Sequence, residues 1–273
     1  MGLWEAVWKS GVLGAVVQGL TEFLPVSSSG HLTFLQIIGL DFGEGMMTFI
    51  NVMMHLGTLI AVIAVFWRDI LALFRKPFKT LLMLIVATIP AGVIGLLFND
   101  QIDAFFSGPT ALLNLAVCFA VTGLLLLVAE LIAKRQKQPR PLGWGNSVAM
   151  GLMQAVALFP GISRSGSTIV AGTVTGAKRE DVAKFSFLMS IPGILGSFAV
   201  EVYGVVREPA AVAEIGTNGF IGIAGGVVLA AVFGFLAIKL MLRVIRKANY
   251  MWFSIYLVCL SLTCFWLNAL GIF

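Results

Sequence analysis

Residues 21–31 read Thr21-Glu22-Phe23-Leu24-Pro25-Val26-Ser27-Ser28-Ser29-Gly30-His31 and interrupt an apolar stretch at residues 2–40. A second polar break, Phe159-Pro160-Gly161-Ile162-Ser163-Arg164-Ser165-Gly166-Ser167-Thr168, divides residues 144–176 in the same way. In both stretches the part after the break is too short to cross a bilayer, which takes ~20 apolar residues. Proline and glycine favour a turn there, and serine favours the start of a second helix. The pattern predicts two re-entrant helical hairpins.

The composition places these hairpins in a membrane protein. The 273 residues are 59% hydrophobic and 11% charged, whereas soluble proteins are ~25% charged. A soluble domain and intrinsic disorder are therefore excluded. The net charge of +5 comes from few charged residues, and these are needed at the ends of the membrane spans. No nucleic-acid partner is therefore expected. Six further segments are long enough to span a bilayer: 46–67, 80–98, 111–133, 185–206, 218–238 and 250–272.

The two breaks also align with each other without a gap. The matched pairs are Gln18 with Gln154, Phe23 with Phe159, Ser27 with Ser163, Ser29 with Ser165, and Gly30 with Gly166. We therefore predict an all-α polytopic protein in which residues 1–273 form one membrane domain built from two repeats. Residues 1–135 hold the hairpin at 2–40 and three spans, and residues 141–273 hold the hairpin at 144–176 and three spans. An odd number of spans inverts the second repeat, and such repeats place a site near the bilayer midplane.

The basic residues predict the orientation of the chain. Most lysines and arginines fall in four clusters within 68–79, 134–140, 178–184 and 239–247, whereas the connections at 99–110 and 207–217 are mainly acidic. Cytoplasmic loops carry the excess of positive charge. Both termini are therefore expected outside, with the first hairpin entering from the outer face and the second from the inner face. The first twenty residues lack the features of a signal peptide, so the N-terminus is expected in the mature fold.

Three ionisable residues fall at the breaks: Glu22, His31 and Arg164. A charge at the bilayer centre costs ~2.5–3.5 kcal/mol, so these side chains are expected to face one another or water. A purely structural pairing that holds the hairpins together is one interpretation, and an active site is the other. Because Glu22 and His31 lie in the hairpin that enters from outside, we expect the site to open to the outer face.

Both breaks have the features of an anion-binding site. Helix N-termini with free N–H groups, hydroxyl donors and glycine suit phosphate oxygens, and a guanidinium binds them in a bidentate manner. Two such turns that meet would suit a diphosphate. The candidate substrate-binding residues are Ser27, Ser29, Gly30, Ser163, Ser165, Gly166 and Thr168.

Ser28 and His31 are three residues apart, which places them on one helical face where a nucleophile and a proton carrier could cooperate. Glu22 could orient His31 or, with Gln18 one turn earlier, hold a divalent cation such as Mg²⁺ or Ca²⁺. Gln18 could equally form a hydrogen bond between helices. His55, inside the first span, is interpreted as a packing hydrogen bond rather than a ligand. The cysteines Cys118, Cys259 and Cys264 lie in apolar runs and are interpreted as small hydrophobic residues.

The segment from Gln18 to His31 resembles the first signature of the bacterial undecaprenyl-diphosphate phosphatases of the bacitracin-resistance family, and the segment from Pro160 to Thr168 resembles the second. The resemblance implies hydrolysis of a polyprenyl diphosphate to the monophosphate carrier lipid used in cell-wall synthesis, in the bacterial plasma membrane. It also implies that the catalytic positions are Glu22, Ser28, His31 and Arg164. The family has Glu or Gln at the position of Gln18, so this chain has one carboxylate fewer for a cation.

Two other functions fit part of the pattern. Inverted repeats with broken helices also occur in transporters, so a transporter or flippase of a polyprenyl phosphate is the main alternative. A passive anion channel is a weaker one, since it has no use for a nucleophile beside a histidine. Ser28 is the favoured nucleophile and His31 the alternative. Membrane lipids are expected partners, and the sequence leaves a homodimer open.

Overall fold

A computed structural model describes residues 3–39, 46–136, 138–207, 216–247 and 249–271. In these residues the chain forms ten helices and no β-strand, apart from one isolated bridge between Arg140 and Ala177. The helices are α1 (Leu3–Phe23), α2 (Ser28–Ile37), α3 (Met46–Leu73), α4 (Lys79–Phe106), α5 (Ala111–Arg135), α6 (Trp144–Val156), α7 (Arg164–Val174), α8 (Arg179–Arg207), α9 (Gly216–Lys247) and α10 (Met251–Ala269).

Six of these helices are long and apolar enough to cross a membrane, which confirms a multi-pass all-α protein. The candidate spans are Met53–Leu73, Lys79–Phe106, Ala111–Arg135, Arg179–Ala199, Ile221–Ile245 and Met251–Ala269. The second and fifth were predicted to end at residues 98 and 238, but α4 and α9 continue well beyond them. Lysine and arginine are good helix formers, so the fifth helix does not stop where its apolar stretch ends. Most of the acidic connection predicted at 207–217 lies outside the described residues.

The two interrupted stretches form short helices joined by turns. In the first, α1 ends at Phe23 and α2 begins at Ser28, and in the second, α6 ends at Val156 and α7 begins at Arg164. A serine caps each second helix as predicted: Ser27 Oγ accepts from Gly30 N at 3.3 Å, and Ser163 Oγ accepts from Gly166 N at 3.1 Å. With 10 and 11 residues, α2 and α7 are too short to span a bilayer. These lengths are compatible with re-entrant hairpins.

Each interrupted stretch packs against the opposite half of the chain. Helix α1 lies along α9, and α6 lies along α4, while α3 contacts α8 and α5 contacts α10. Small residues allow the close approach, since a Cβ on Gly19 would lie 2.8 Å from the carbonyl oxygen of Ala230. This reciprocal pairing is what an internal two-fold relation between the halves would produce. The inversion of the halves across a membrane stays a prediction.

Candidate functional site

The two turns meet through Ser27 and Gly161. Ser27 Oγ accepts from the N–H of Gly161 at 3.1 Å in addition to its capping bond. A Cβ on Gly30 would lie 2.6 Å from the Cα of Gly161, so the two backbones touch where neither residue has a side chain. Gly161 has φ +91°, a left-handed conformation that glycine adopts readily, and Ser27 has φ 68°. The two turns therefore meet, which is the arrangement that would suit a diphosphate.

Helix α5 holds the second turn in place through Thr122. Its buried hydroxyl donates to the carbonyl oxygen of Gly161 at 2.9 Å and accepts from the N–H of Ser163 at 3.1 Å. Ser165 adds a link between the turns, since its hydroxyl donates to the carbonyl oxygen of Leu24 at 2.9 Å. The turns are thus fixed to each other and to α5 by side-chain hydroxyls.

Glu22 lies at the centre of the cluster, in the last turn of α1, and is 8% exposed. Its Oε1 atom accepts from the guanidinium of Arg164. Its Oε2 atom accepts from Ser28 Oγ at 2.5 Å and from Gln18 Nε2 at 3.0 Å. The structure therefore brings together three of the four predicted catalytic residues, Glu22, Ser28 and Arg164.

His31 points away from this cluster. Its Nδ1 lies 2.7 Å from the carbonyl oxygen of Ser27, and its Nε2 lies 2.6 Å from the hydroxyl of Tyr256. The prediction that Ser28 and His31 cooperate directly does not match these contacts. Ser28 is the first residue of α2 and its side chain turns back toward α1, whereas His31 extends toward α10, so residues on the same helical face can point in different directions.

Sequence reasoning missed three residues of the site. His55 was interpreted as a packing residue, yet its Nε2 lies 3.9 Å from Glu22 Oε2. An ionisable residue inside a span was the signal that could have found it. Thr122 and Tyr256 gave no such signal, because both contact residues far away in the chain.

The predicted substrate-binding residues differ in position. Ser27, Gly30, Ser163, Ser165 and Gly166 build the joined turns, and Ser29 is exposed beside them. Thr168 is fully buried in the contact between α7 and α8, where its hydroxyl lies 2.7 Å from that of Ser186. Its predicted contact with a phosphate would need this hydrogen bond to rearrange.

Two buried polar atoms near Glu22 lack a hydrogen-bond partner in the described part of the chain. One is Nη1 of Arg164, and the other is Oε1 of Gln18. A buried donor without a partner is costly, and a phosphate oxygen is an acceptor that would satisfy Nη1. An orphaned amide oxygen near a carboxylate is a fitting ligand for a hard cation.

The residues present fit a cation only if other groups complete its coordination. Among the described residues no group of three His, Cys, Asp or Glu side chains is arranged to hold a metal ion. Mg²⁺ is commonly held by one or two protein oxygens together with water and substrate phosphates. Gln18 and Glu22 could supply the protein oxygens of such a site.

This fold and this site define a class of protein: a polytopic helical membrane protein in which a serine and a guanidinium both donate to a buried carboxylate where two broken helices meet. The chain belongs to the family described as bacitracin resistance protein BacA, which matches residues 11–263.

Several proteins named undecaprenyl-diphosphatase are similar over almost the whole chain. The one from Carboxydothermus hydrogenoformans is 42% identical over 265 residues, which cover 96% of this chain and 97% of the relative. The one from Thermomicrobium roseum is 39% identical, with coverage of 94% and 96%, and the one from Moorella thermoacetica is 38% identical, with coverage of 94% and 97%.

Proposed function

We propose that this protein hydrolyses undecaprenyl diphosphate to the monophosphate and inorganic phosphate within the membrane, which recycles the carrier lipid for cell-wall synthesis and confers bacitracin resistance. Membership of the family and the relatives' names support the reaction. The observation that carries the assignment to this site is the carboxylate of Glu22, which accepts from both Ser28 and Arg164. A hydroxyl, a base and a guanidinium in contact are the groups that phosphoryl transfer needs.

Ser28 is the nucleophile in this proposal. Its Oγ attacks the terminal phosphorus while its proton passes to Glu22, the acceptor 2.5 Å away. The bond from that phosphorus to the bridging oxygen breaks, and the lipid monophosphate leaves. Glu22 becomes a carboxylate again when it gives the serine proton to the departing lipid monophosphate. Water then attacks the phosphorus of the phosphoserine and gives a proton to Glu22. The bond between phosphorus and Ser28 Oγ breaks, Glu22 passes its proton to Oγ, and inorganic phosphate leaves. His31, the alternative nucleophile, has both ring nitrogens within hydrogen-bonding distance of other groups, which favours Ser28.

Arg164 and the helix N-termini bind and stabilise the phosphates. The Nη1 group of Arg164 lacks a partner among the described residues, so it can donate to a phosphate oxygen while Nη2 stays on Glu22. The N-termini of α2 and α7 direct their positive ends toward the joined turns. A fixed set of donors lowers the barrier because it need not reorganise as charge develops.

A divalent cation is part of the proposal, with Gln18 and Glu22 as its protein ligands. When bound, it would neutralise phosphate oxygens. Gln18 Oε1 is buried and has no hydrogen-bond partner in the described segments, which supports this position. Mg²⁺ and Ca²⁺ remain the candidate ions.

We place both termini and the opening of the site on the outer face of the bacterial plasma membrane. The loops that would then lie on the other side of the membrane carry most of the lysines and arginines. Loops rich in these residues are usually cytoplasmic, which supports this orientation. The lipid tail would lie between spans, whose many exposed apolar side chains suit contact with lipid. A homodimer stays a prediction of the sequence.

Phosphate release by the purified protein tests the function and separates it from a flippase, which breaks no bond. We expect release from undecaprenyl diphosphate by the wild type and none above background by Ser28→Ala. Ser190→Ala is the matched control, because the buried Ser190 hydroxyl donates only within its own helix α8, to the carbonyl oxygen of Phe187 at 2.6 Å. Lipid transfer without phosphate release by the wild type would refute the hydrolase.

A further inference from the structure

We propose that Tyr256 is a positioning residue that fixes His31 as the neutral tautomer with its proton on Nδ1. The effect of Tyr256 on turnover rests on the proposed function, whereas the tautomer of His31 does not. Tyr256 lies on α10, 225 residues from His31 in sequence, and its hydroxyl is 2.6 Å from His31 Nε2. Nothing in the sequence pattern connected the two residues.

The hydrogen bonds of His31 determine where its proton lies. The carbonyl oxygen of Ser27 can only accept, so Nδ1, 2.7 Å away, has to carry a proton. In a neutral imidazole Nε2 is then an acceptor, and the Tyr256 hydroxyl is the donor that satisfies it. The neutral ring thus uses both nitrogens and has no lone pair left for the proton of Ser28.

Ring contacts hold the imidazole in this orientation. The rings of His31 and Tyr256 are nearly parallel, with an interplanar angle of 5° and centroids 5.7 Å apart. Phe119 on α5 meets the imidazole edge to face at 5.5 Å. Rotation of the imidazole would break two ring contacts and two hydrogen bonds together.

Helix α10 is itself anchored on both sides of Tyr256. Before it, Tyr250 N donates to the buried Glu130 at 3.1 Å and Ser254 Oγ donates to the carbonyl of Gly123 at 2.7 Å. After it, Ser261 Oγ donates to the carbonyl oxygen of Ala116 on α5 at 2.7 Å. The position of Tyr256 is therefore set by these hydrogen bonds to α5 rather than by His31.

Tyr256 affects the reaction through the contact of His31 with Ser27. His31 donates to the carbonyl of Ser27, the residue with φ 68° that precedes Ser28 in the turn. A left-handed conformation is unfavourable for serine and persists only when its surroundings impose it. By holding His31 on this carbonyl, Tyr256 helps to keep the turn that directs Ser28 toward Glu22.

Nitrogen NMR tests the tautomer directly, because the chain has only two histidines. Protein labelled with ¹⁵N-histidine is measured at pH 7.5, and His55→Gln assigns the signals of His31. We expect a protonated Nδ1 and an unprotonated, hydrogen-bonded Nε2 in the wild type. In Tyr256→Phe the ¹⁵N chemical shift of Nε2 should move toward the value of an unprotonated ring nitrogen that accepts no hydrogen bond. A wild-type His31 protonated on Nε2, or a signal unchanged in Tyr256→Phe, would overturn the proposal.

Kinetics tests the consequence for turnover. Tyr256→Phe keeps the ring and removes one hydroxyl, so we expect kcat to fall about fivefold to tenfold, as for one lost hydrogen bond, with little change in KM. Thr263→Val is the matched control, since it removes a hydroxyl of α10 that donates only to its own helix, to Cys259 O at 2.9 Å. Equal kcat values for Tyr256→Phe and the wild type would overturn the positioning role. A wild type that shows the expected tautomer but releases no phosphate would instead refute the proposed function and support the tautomer.

Discussion

Arg164 of α7 donates to Oε1 of Glu22 in α1, so an ion pair joins the two broken stretches of the chain. Each charge alone would be costly at membrane depth, ~2.5–3.5 kcal/mol on insertion scales. The first stretch supplies the nucleophile and its base, and the second supplies the guanidinium. Neither half of the chain has a complete site, which is why the two turns have to touch.

Replacing Arg164 by lysine should lower the rate of phosphate release by at least ~10–100-fold, the loss expected when a contact worth ~1.4–2.7 kcal/mol disappears from the transition state. Lysine keeps the charge but cannot donate to Glu22 and to a phosphate from one planar group. The measurement is kcat of the purified variant. Arg243→Lys, at an exposed position on α9, is the control and should retain wild-type activity. Near-normal turnover of Arg164→Lys would remove this guanidinium from the chemistry.

Glu22→Gln should abolish measurable turnover, because the amide cannot accept the proton of Ser28; general bases contribute about 10²–10⁴-fold. It should also lower the free energy of unfolding, because breaking a buried pair costs about 3–5 kcal/mol, somewhat less here since the Arg164 side chain is 20% exposed. Activity and thermal stability are both measured. Asp69→Asn breaks a more exposed pair with Lys184, 2.5 Å long, and should cost only about 0–1 kcal/mol. A fully active Glu22→Gln protein would refute the role of the base.

Much of the fold was predictable because its signals are local. Apolar length identified the six spans, and proline, glycine and serine identified the two breaks. The same logic placed Glu22 and Arg164 together, since isolated charges are not tolerated at membrane depth. The ends of α4 and α9 were predicted too early, because helix propensity continues into polar residues and hydropathy does not report it.

The orientation of side chains in the site was not predictable from spacing. Ser28 and His31 share a helical face, yet one contacts Glu22 and the other Tyr256. These outcomes depend on where tertiary packing places α1 and α10 relative to α2, and the contact of His31 with Tyr256 joins residues far apart in the chain. His31 was expected beside Ser28 and lies elsewhere, whereas His55 was expected to be a packing residue and lies beside the carboxylate of Glu22.

Gln18→Glu should make turnover respond to lower concentrations of Mg²⁺. The substitution replaces an N–H donor, 3.0 Å from Glu22, by a second carboxylate whose charge a cation would neutralise. We expect the half-saturating Mg²⁺ concentration to fall about tenfold, since ligand charge tunes cation affinity. The measurement is phosphate release against free Mg²⁺ after chelation. Gln154→Glu adds the same charge in the other broken stretch and should leave this dependence unchanged. Activity that persists in full in chelator would remove the cation from the proposal.

Cysteine labelling should establish the path of the chain. In a background without Cys118, Cys259 and Cys264, a cysteine introduced at Lys76 should be shielded from an impermeant thiol reagent applied to intact cells. A cysteine at Asp103, at the other end of α4, should react. Permeabilised cells provide the control, since both positions should then be labelled. Labelling of position 76 from outside would contradict the predicted orientation, and labelling of a cysteine at Lys137 from outside would contradict the inverted repeat.

The site should open to the outer face of the membrane. The hairpin predicted to enter from that side carries both the nucleophile Ser28 and the base Glu22, whereas the other hairpin contributes Arg164. The attacking water and the departing phosphate need a wet route to the first group of residues. Sealed vesicles of known orientation, supplied with a water-soluble short-chain diphosphate, should therefore release phosphate only when the outer face of the protein is exposed to the substrate. Detergent-opened vesicles give the total activity, and Ser28→Ala vesicles give the background. Hydrolysis restricted to vesicles that expose the cytoplasmic face would show that the cavity opens in the opposite direction.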